Sequence, residues 1–156
     1  MTDLRATGLR IEKVRGDALI EDWRHVHNLI IPAHPLSVDD VRERVGRNHL
    51  EVAYLGDALV GCTTVRPPTN DTATATVIAR VLPGHRLQGF GEVLYQHGLE
   101  QARQMGAAVI ETVILASNVS GVRFAERHGF EEVERYTLPD DPALWFTMRL
   151  AEHEGI

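Results

Sequence analysis

Val81-Leu82-Pro83-Gly84-His85-Arg86-Leu87-Gln88-Gly89-Phe90-Gly91 joins a β-rich run to a long helical pattern. The run, residues 72–82, is made largely of Thr, Val, Ala and Ile and reads as a strand. Apolar residues at helical spacing begin near Phe90. They continue through Val93, Leu94, His97, Leu99, Ala102 and Met105 until Gly106 stops the helix. Backbone N–H groups at such a helix start lack intrahelical partners and sit at the positive end of the helix dipole. That layout predicts a phosphate or pyrophosphate site. Gly89 and Gly91 carry no Cβ and let an anion approach the backbone, while Arg86 and Gln88 add side-chain donors. A nucleotide P-loop needs Lys-Ser/Thr after its last glycine, and Gly91 is followed by Glu92-Val93. A dinucleotide fingerprint needs a third glycine where Leu94 stands. From the loop alone a plain turn with solvated polar residues remains open.

The rest of the chain supplies the setting. Residues 9–14 read as a first strand. Residues 18–31 read as a helix through Leu19, Ile20, Trp23, Val26, Leu29 and Ile30, broken by Pro32 and Pro35. Ser37 caps a short helix over 38–45, with Asp39 and Asp40 in its first turn and Gly46 at its end. Residues 49–55 and 58–65 form a hairpin around Gly56-Asp57, and Pro67-Pro68-Thr69-Asn70-Asp71 makes the next turn. After the long helix come a strand over 108–115, a helix over 118–128 ended by Gly129, and strands over 130–138 and 143–150. The hairpins impose antiparallel neighbours, and the strand–helix–strand crossover makes 72–82 parallel to 108–115. The expected fold is α/β with a mixed sheet and helices on both faces. Met105, Trp23, Trp145 and Phe146 read as core.

A chain of 156 residues is expected to form a single domain over 1–156. Its formal charge is −6, Lys13 is its one lysine, and no basic cluster exists to neutralise nucleic acid. The acidic balance leans weakly toward a cationic or amine substrate. Cys62, the one cysteine, lies in an apolar strand pattern and reads as a small buried hydrophobe. The N-terminal residues, charged at Asp3, Arg5 and Arg10, form no hydrophobic leader, and no apolar run is long enough to span a bilayer. A cytoplasmic protein without membrane contact is expected.

Val81, Pro83, Arg86, Gly89 and Gly91 together form Val-x-Pro-x-x-Arg-x-x-Gly-x-Gly, which resembles the acetyl-CoA loop of the GNAT superfamily of N-acetyltransferases. A second segment, residues 118–130, resembles that family's Asn…Gly-Phe stretch at Asn118, Gly129 and Phe130. The resemblance spans nearly the whole chain and is strongest over 72–130. It implies a mostly antiparallel twisted sheet with a central parallel, splayed strand pair. It implies acetyl-CoA as co-substrate, no metal, and acyl transfer to the primary amine of a small molecule or peptide. Gln88, Gly89, Phe90 and Gly91 would hold the pyrophosphate by their N–H groups, with Arg86 and Leu87 beside it. Val81, Leu82 and Pro83 would line the pantetheine arm, and the Val81 N–H would face the thioester carbonyl as oxyanion donor. Asn118 would bind near the thiol end, and it also reads as a helix N-cap.

Two departures stand out. Residues 72–91 contain no Asp or Glu where many relatives carry a glutamate base, and Ala125 stands where many carry a tyrosine acid. Weak replacements are Glu111, read chiefly as an ion-pair partner of Arg80, and Tyr136, read chiefly as a packed tyrosine. His25, His27 and His34 read chiefly as surface or packing residues, and His85 as an exposed imidazole. The alternative is a non-catalytic acyl-CoA-binding regulatory domain; a longer acyl donor and a homodimer are left open.

Overall fold

A computed structural model describes residues 8–69 and 71–151. The elements are β1 (Leu9–Lys13), α1 (Gly16–Ile30), α2 (Val38–Arg47), β2 (His49–Leu55), β3 (Ala58–Thr69) and β4 (Thr74–Val81), then a single 3-10 turn at Pro83–His85. They continue as α3 (Phe90–Gln104), β5 (Val109–Leu115), α4 (Val119–Arg127), β6 (Phe130–Thr137) and β7 (Leu144–Leu150). Seven strands form one sheet in the order β1-β2-β3-β4-β5-β7-β6, and β4–β5 is its parallel pair. The mixed sheet is the fold the sequence implied.

Strand alternation decides which helix covers which face. Leu50, Val52 and Tyr54 of β2 pack with Trp23 and Val26 of α1 and Val41 of α2. Glu51, between them in sequence, points the opposite way and accepts from His97 and Gln101 of α3 at 2.9 and 2.6 Å. Val65, Ala75 and Val77 pack with Tyr95, Leu99 and Ala102 of α3 on that second face, together with Ala125 of α4. Gly98 is what lets α3 lie so close: a Cβ there would come 2.6 Å from Val77 Cγ1. Ser37 and Asp40 form a reciprocal capping box on α2, at 3.1 and 2.9 Å.

Three expectations are corrected. The strand at Ala58 does not turn at Pro67 but runs to Thr69, and the prolines, lacking N–H groups, interrupt its ladder to β4 between Arg66 and Thr69. Gly46 does not end α2, which continues to Arg47 and stops at Asn48. Met105 is exposed rather than core, because it follows the last turn of α3. Asn70, Asp3 and Arg5 lie outside the described residues. No helix among the described residues is long and apolar enough to cross a membrane.

Candidate active site

The parallel pair β4–β5 is bonded over three positions only, Thr74–Thr76 against Val109–Glu111. Beyond them the strands part, and a cavity of about 600 Å³ opens between Ile78, Ala79, Arg80 and Val81 on one side and Val113, Ile114 and Leu115 on the other. Leu82 donates its N–H to the Val60 carbonyl at 2.8 Å, toward β3. Peptide groups alternate along a strand, so the Val81 N–H is directed to the opposite side, into the splay.

At the end of β4 the glycine loop closes the same cavity with His85, Arg86, Leu87, Gly89, Phe90 and Gly91. Gly89 is the N-cap of α3 and takes a left-handed conformation, φ 81°. Val93 N is the first N–H of α3 to reach back to its own chain, bonding Gly89 O at 3.3 Å. The N–H groups ahead of it therefore belong to the unsatisfied first turn. Leu87, also left-handed at φ 65°, is fully exposed. A non-glycine residue held there is locally strained, a feature that concentrates at ligand loops. A Cβ on Gly91 would meet Phe124 and Val81 at 3.7–3.9 Å, so that glycine looks into the cleft. Arg86 does not reach outward alone; its Nε donates to the Val81 carbonyl at 3.1 Å and ties the loop to the strand end.

The opposite wall comes from the start of α4. Asn118 Oδ1 accepts from Gly121 N at 3.0 Å and from Ser120 Oγ at 3.2 Å, which is the capping role. Its amide lies against Gly121, where a Cβ would come 2.5 Å from Nδ2, so a side chain there would displace the Asn118 amide. Ser117, Asn118, Ser120 and Phe124 line the cavity here. Ala125 is fully buried in the core and supplies no proton donor.

A second cavity of about 190 Å³ lies on the α1–α2 face and shares Ile31, Arg80, Val113 and Trp145 with the first. Its other lining residues are His27, His34, Arg44, Arg66, Tyr136 and Leu138. His27 is buried against Trp23, ring centroids 5.5 Å apart, and burial lowers its pKa to about 4. Tyr136 stacks on Trp145, and burial raises its phenol above the ordinary value. His34 is held by the Asp141 carboxylate.

Not every expected residue meets the cleft. Val81, Arg86, Leu87, Gly89, Phe90, Gly91 and Asn118 line the main cavity, whereas Leu82, Pro83 and Gln88 do not. Glu111 lines neither cavity, and its expected pairing with Arg80 is corrected: its carboxylate takes Arg149 Nη2 at 2.7 Å. β7 lies between β5 and β6 and sets Arg149 directly opposite Glu111, while Arg80 lies beyond the point where the two parallel strands separate. Cys62 is buried, which pushes its thiol up to about 12. Tyr95, Phe124, Arg80, Arg44 and Arg66 were not foreseen as site residues. Alternation on β4 could have put Arg80 on the face opposite Val77; nothing local marks Arg44 or Arg66.

Comparison with known proteins bears on the family and the fold. The model of the acetyltransferase (GNAT) family matches residues 17–130. No curated protein matches the chain. Among solved structures, yncA of Salmonella typhimurium, a proposed acetyltransferase with its cofactor acetyl-CoA, is 16% identical with a TM-score of 0.74 over 95% of this chain and 97% of its own. A proposed phosphinothricin N-acetyltransferase is 19% identical with a TM-score of 0.76, covering 92% and 99%. The ribosomal-protein-alanine N-acetyltransferase of Brucella melitensis is 16% identical with a TM-score of 0.74, covering 90% and 98%. At such identity the likeness speaks for the fold, and the family model carries the assignment: this chain belongs to the GNAT family of acetyltransferases.

Proposed function

We propose that the chain moves an acetyl group from acetyl-CoA to the nitrogen of an amine by direct attack within a ternary complex. The observation that carries this reading is the alignment of the Val81 N–H into the splay, next to the unsatisfied first turn of α3. The bound coenzyme supplies an activated acyl thioester. The N–H groups at Gly89, Phe90 and Gly91 grip its diphosphate, aided by the α3 dipole. The Val81 N–H holds the thioester carbonyl oxygen as negative charge gathers there, a contact worth roughly 3 kcal/mol where such donors are removed. No covalent acyl-enzyme is invoked, since Cys62 is buried and held as a thiol.

Proton traffic falls to the second cavity. His34 lines it beside the Asp141 carboxylate, and we assign His34 the incoming ammonium proton. Tyr136 stays protonated and is the candidate acid for the departing thiolate. The acceptor is the amine of a small molecule or a peptide. The rival reading, a non-catalytic coenzyme binder, draws on the buried Ala125 and on the lack of carboxylates along β4.

A thiol-release assay separates the two. With acetyl-CoA and a panel of amino acids, polyamines, aminoglycosides and peptides, the transferase releases CoA in an amine-dependent manner and yields an acetylated product by mass spectrometry. Tight coenzyme binding with no amine-dependent release across that panel favours the binder.

A further inference from the structure

The charge of the second cavity runs against that of the chain. The protein carries 22 acidic and 16 basic residues, yet this cavity is lined by Arg44, Arg66 and Arg80 and by no carboxylate. They come from three separate elements: Arg44 from α2, Arg66 from β3 and Arg80 from β4. Among the described residues none of the three has a carboxylate within ion-pair range. The acids nearest Arg44 are committed elsewhere, Asp40 to the Ser37 N–H and Glu43 to Arg47. Asp141 is taken by His34 and by the Ala143 N–H. Burial lowers the pKa of all three guanidinium groups, Arg66 included although its side chain is exposed, and Arg44 and Arg66 each depress Arg80 further. Gathering like charges at the same half-buried cavity without a counter-charge is unfavourable, and an anion reverses the sign. Guanidinium forks suit carboxylate and phosphate oxygens by paired hydrogen bonds. Trp145, 7% exposed and lining the same cavity, has an indole N–H with no acceptor.

We infer that the acceptor is a small amine bearing an oxyanion, a carboxylate or a phosphate, which seats on Arg44, Arg66 and Arg80 while its nitrogen faces the splay. The inference rests on the acetyl-transfer reading for the nitrogen's role, and the anion seat can be tested apart from it. A cavity of about 190 Å³ suits a molecule of amino-acid size and excludes a folded partner. The weak leaning toward a cationic acceptor, drawn from net charge, gives way to the local field.

The probe is inorganic phosphate, titrated by calorimetry into protein saturated with CoA so that the glycine loop is filled. Wild type should bind it, and Arg44→Gln and Arg66→Gln should each weaken it about tenfold or more while CoA affinity holds. Without phosphate both variants should melt at or above the wild-type temperature, since each removes a repelling cation. Failure of phosphate to bind, or equal affinity in the variants, overturns the anion seat. Two acceptor pairs distinguish the oxyanions: alanine against alaninamide, and phosphoethanolamine against ethanolamine. A tenfold or greater preference in kcat/KM for the anionic member of either pair supports the inference, and equal or faster transfer to the neutral members of both overturns it. If CoA itself does not bind, the transferase reading falls. The phosphate titration of the ligand-free protein and the same two variants then judges the anion seat separately.

Discussion

Leu82 N donates to Val60 O at 2.8 Å, and this bond turns the Val81 peptide toward β5. The orientation depends on how closely β3 and β4 approach, and Gly61 sets that approach. A Cβ on residue 61 would collide with the Arg80 carbonyl and press on Leu94 at 3.3 Å. Gly61→Ala is expected to shift β4 at Arg80 and Val81, lowering kcat by about tenfold to a hundredfold. CoA affinity should fall far less, because the closest contacts of the added Cβ include none of Gly89, Phe90 and Gly91. Initial rates and calorimetry on the same preparation check this; unchanged kcat would detach Val81 from the chemistry.

The loop glycines act differently. Gly89 has φ 81°, so any side chain there strains the backbone as well as crowding an anion. Gly91 has ordinary φ and room for a methyl group in van der Waals contact with Phe124 and Val81. Gly91→Ala should leave the melting temperature near wild type or slightly higher, since alanine favours helix over glycine by about 1 kcal/mol. CoA should bind about tenfold more weakly. Arg86→Ala should weaken binding less, with the loss shrinking as salt rises. Calorimetry at two ionic strengths reads both effects.

Close packing of α3 on β4 rests on Gly98. Gly98→Ala places a methyl group 2.6 Å from Val77 Cγ1, and one of the two elements must move. The expected cost is about 1–3 kcal/mol, measured as a lower urea midpoint at unchanged slope. A variant as stable as wild type would mean that this interface yields freely.

His27 predicts an acid-side loss of stability. Its folded pKa, about 4, lies below the ordinary 6.5. Between those values the unfolded chain binds a proton that the folded chain refuses, so stability rises with pH across that window. This stabilising contribution is present above pH 6.5 and is lost as pH falls toward 4, up to about 3 kcal/mol. Urea unfolding of wild type and His27→Gln from pH 4 to 7 checks it. The variant should show a shallower slope, and equal slopes would refute the assignment.

How far the sequence could be read follows from what each feature depends on. The strand–loop–helix unit at 81–91 was legible because its information is local: a strand end, two glycines and a helix start within eleven residues. The hairpin of β2 with β3 and the parallel β4–β5 pair followed from hairpin and crossover rules, whereas the insertion of β7 between β5 and β6 did not. Pro67 and Pro68 misled because proline is usually a breaker, and here β3 carries them along an interrupted stretch of its ladder. Glu111 was given the wrong partner because its ion pair depends on β7 lying beside β5, a long-range fact. The arginine-lined cavity was hidden for the same reason, with Arg44, Arg66 and Arg80 converging only once α2, β3 and β4 are packed.

Backbone amide shifts of the 15N-labelled protein during titration with acetyl-CoA test the central claim most directly. The account predicts saturable shifts largest at Gly89, Phe90, Gly91 and Val81, with Val81 responding to acetyl-CoA more than to CoA. Saturation that leaves those amides unmoved while shifting residues elsewhere would contradict it.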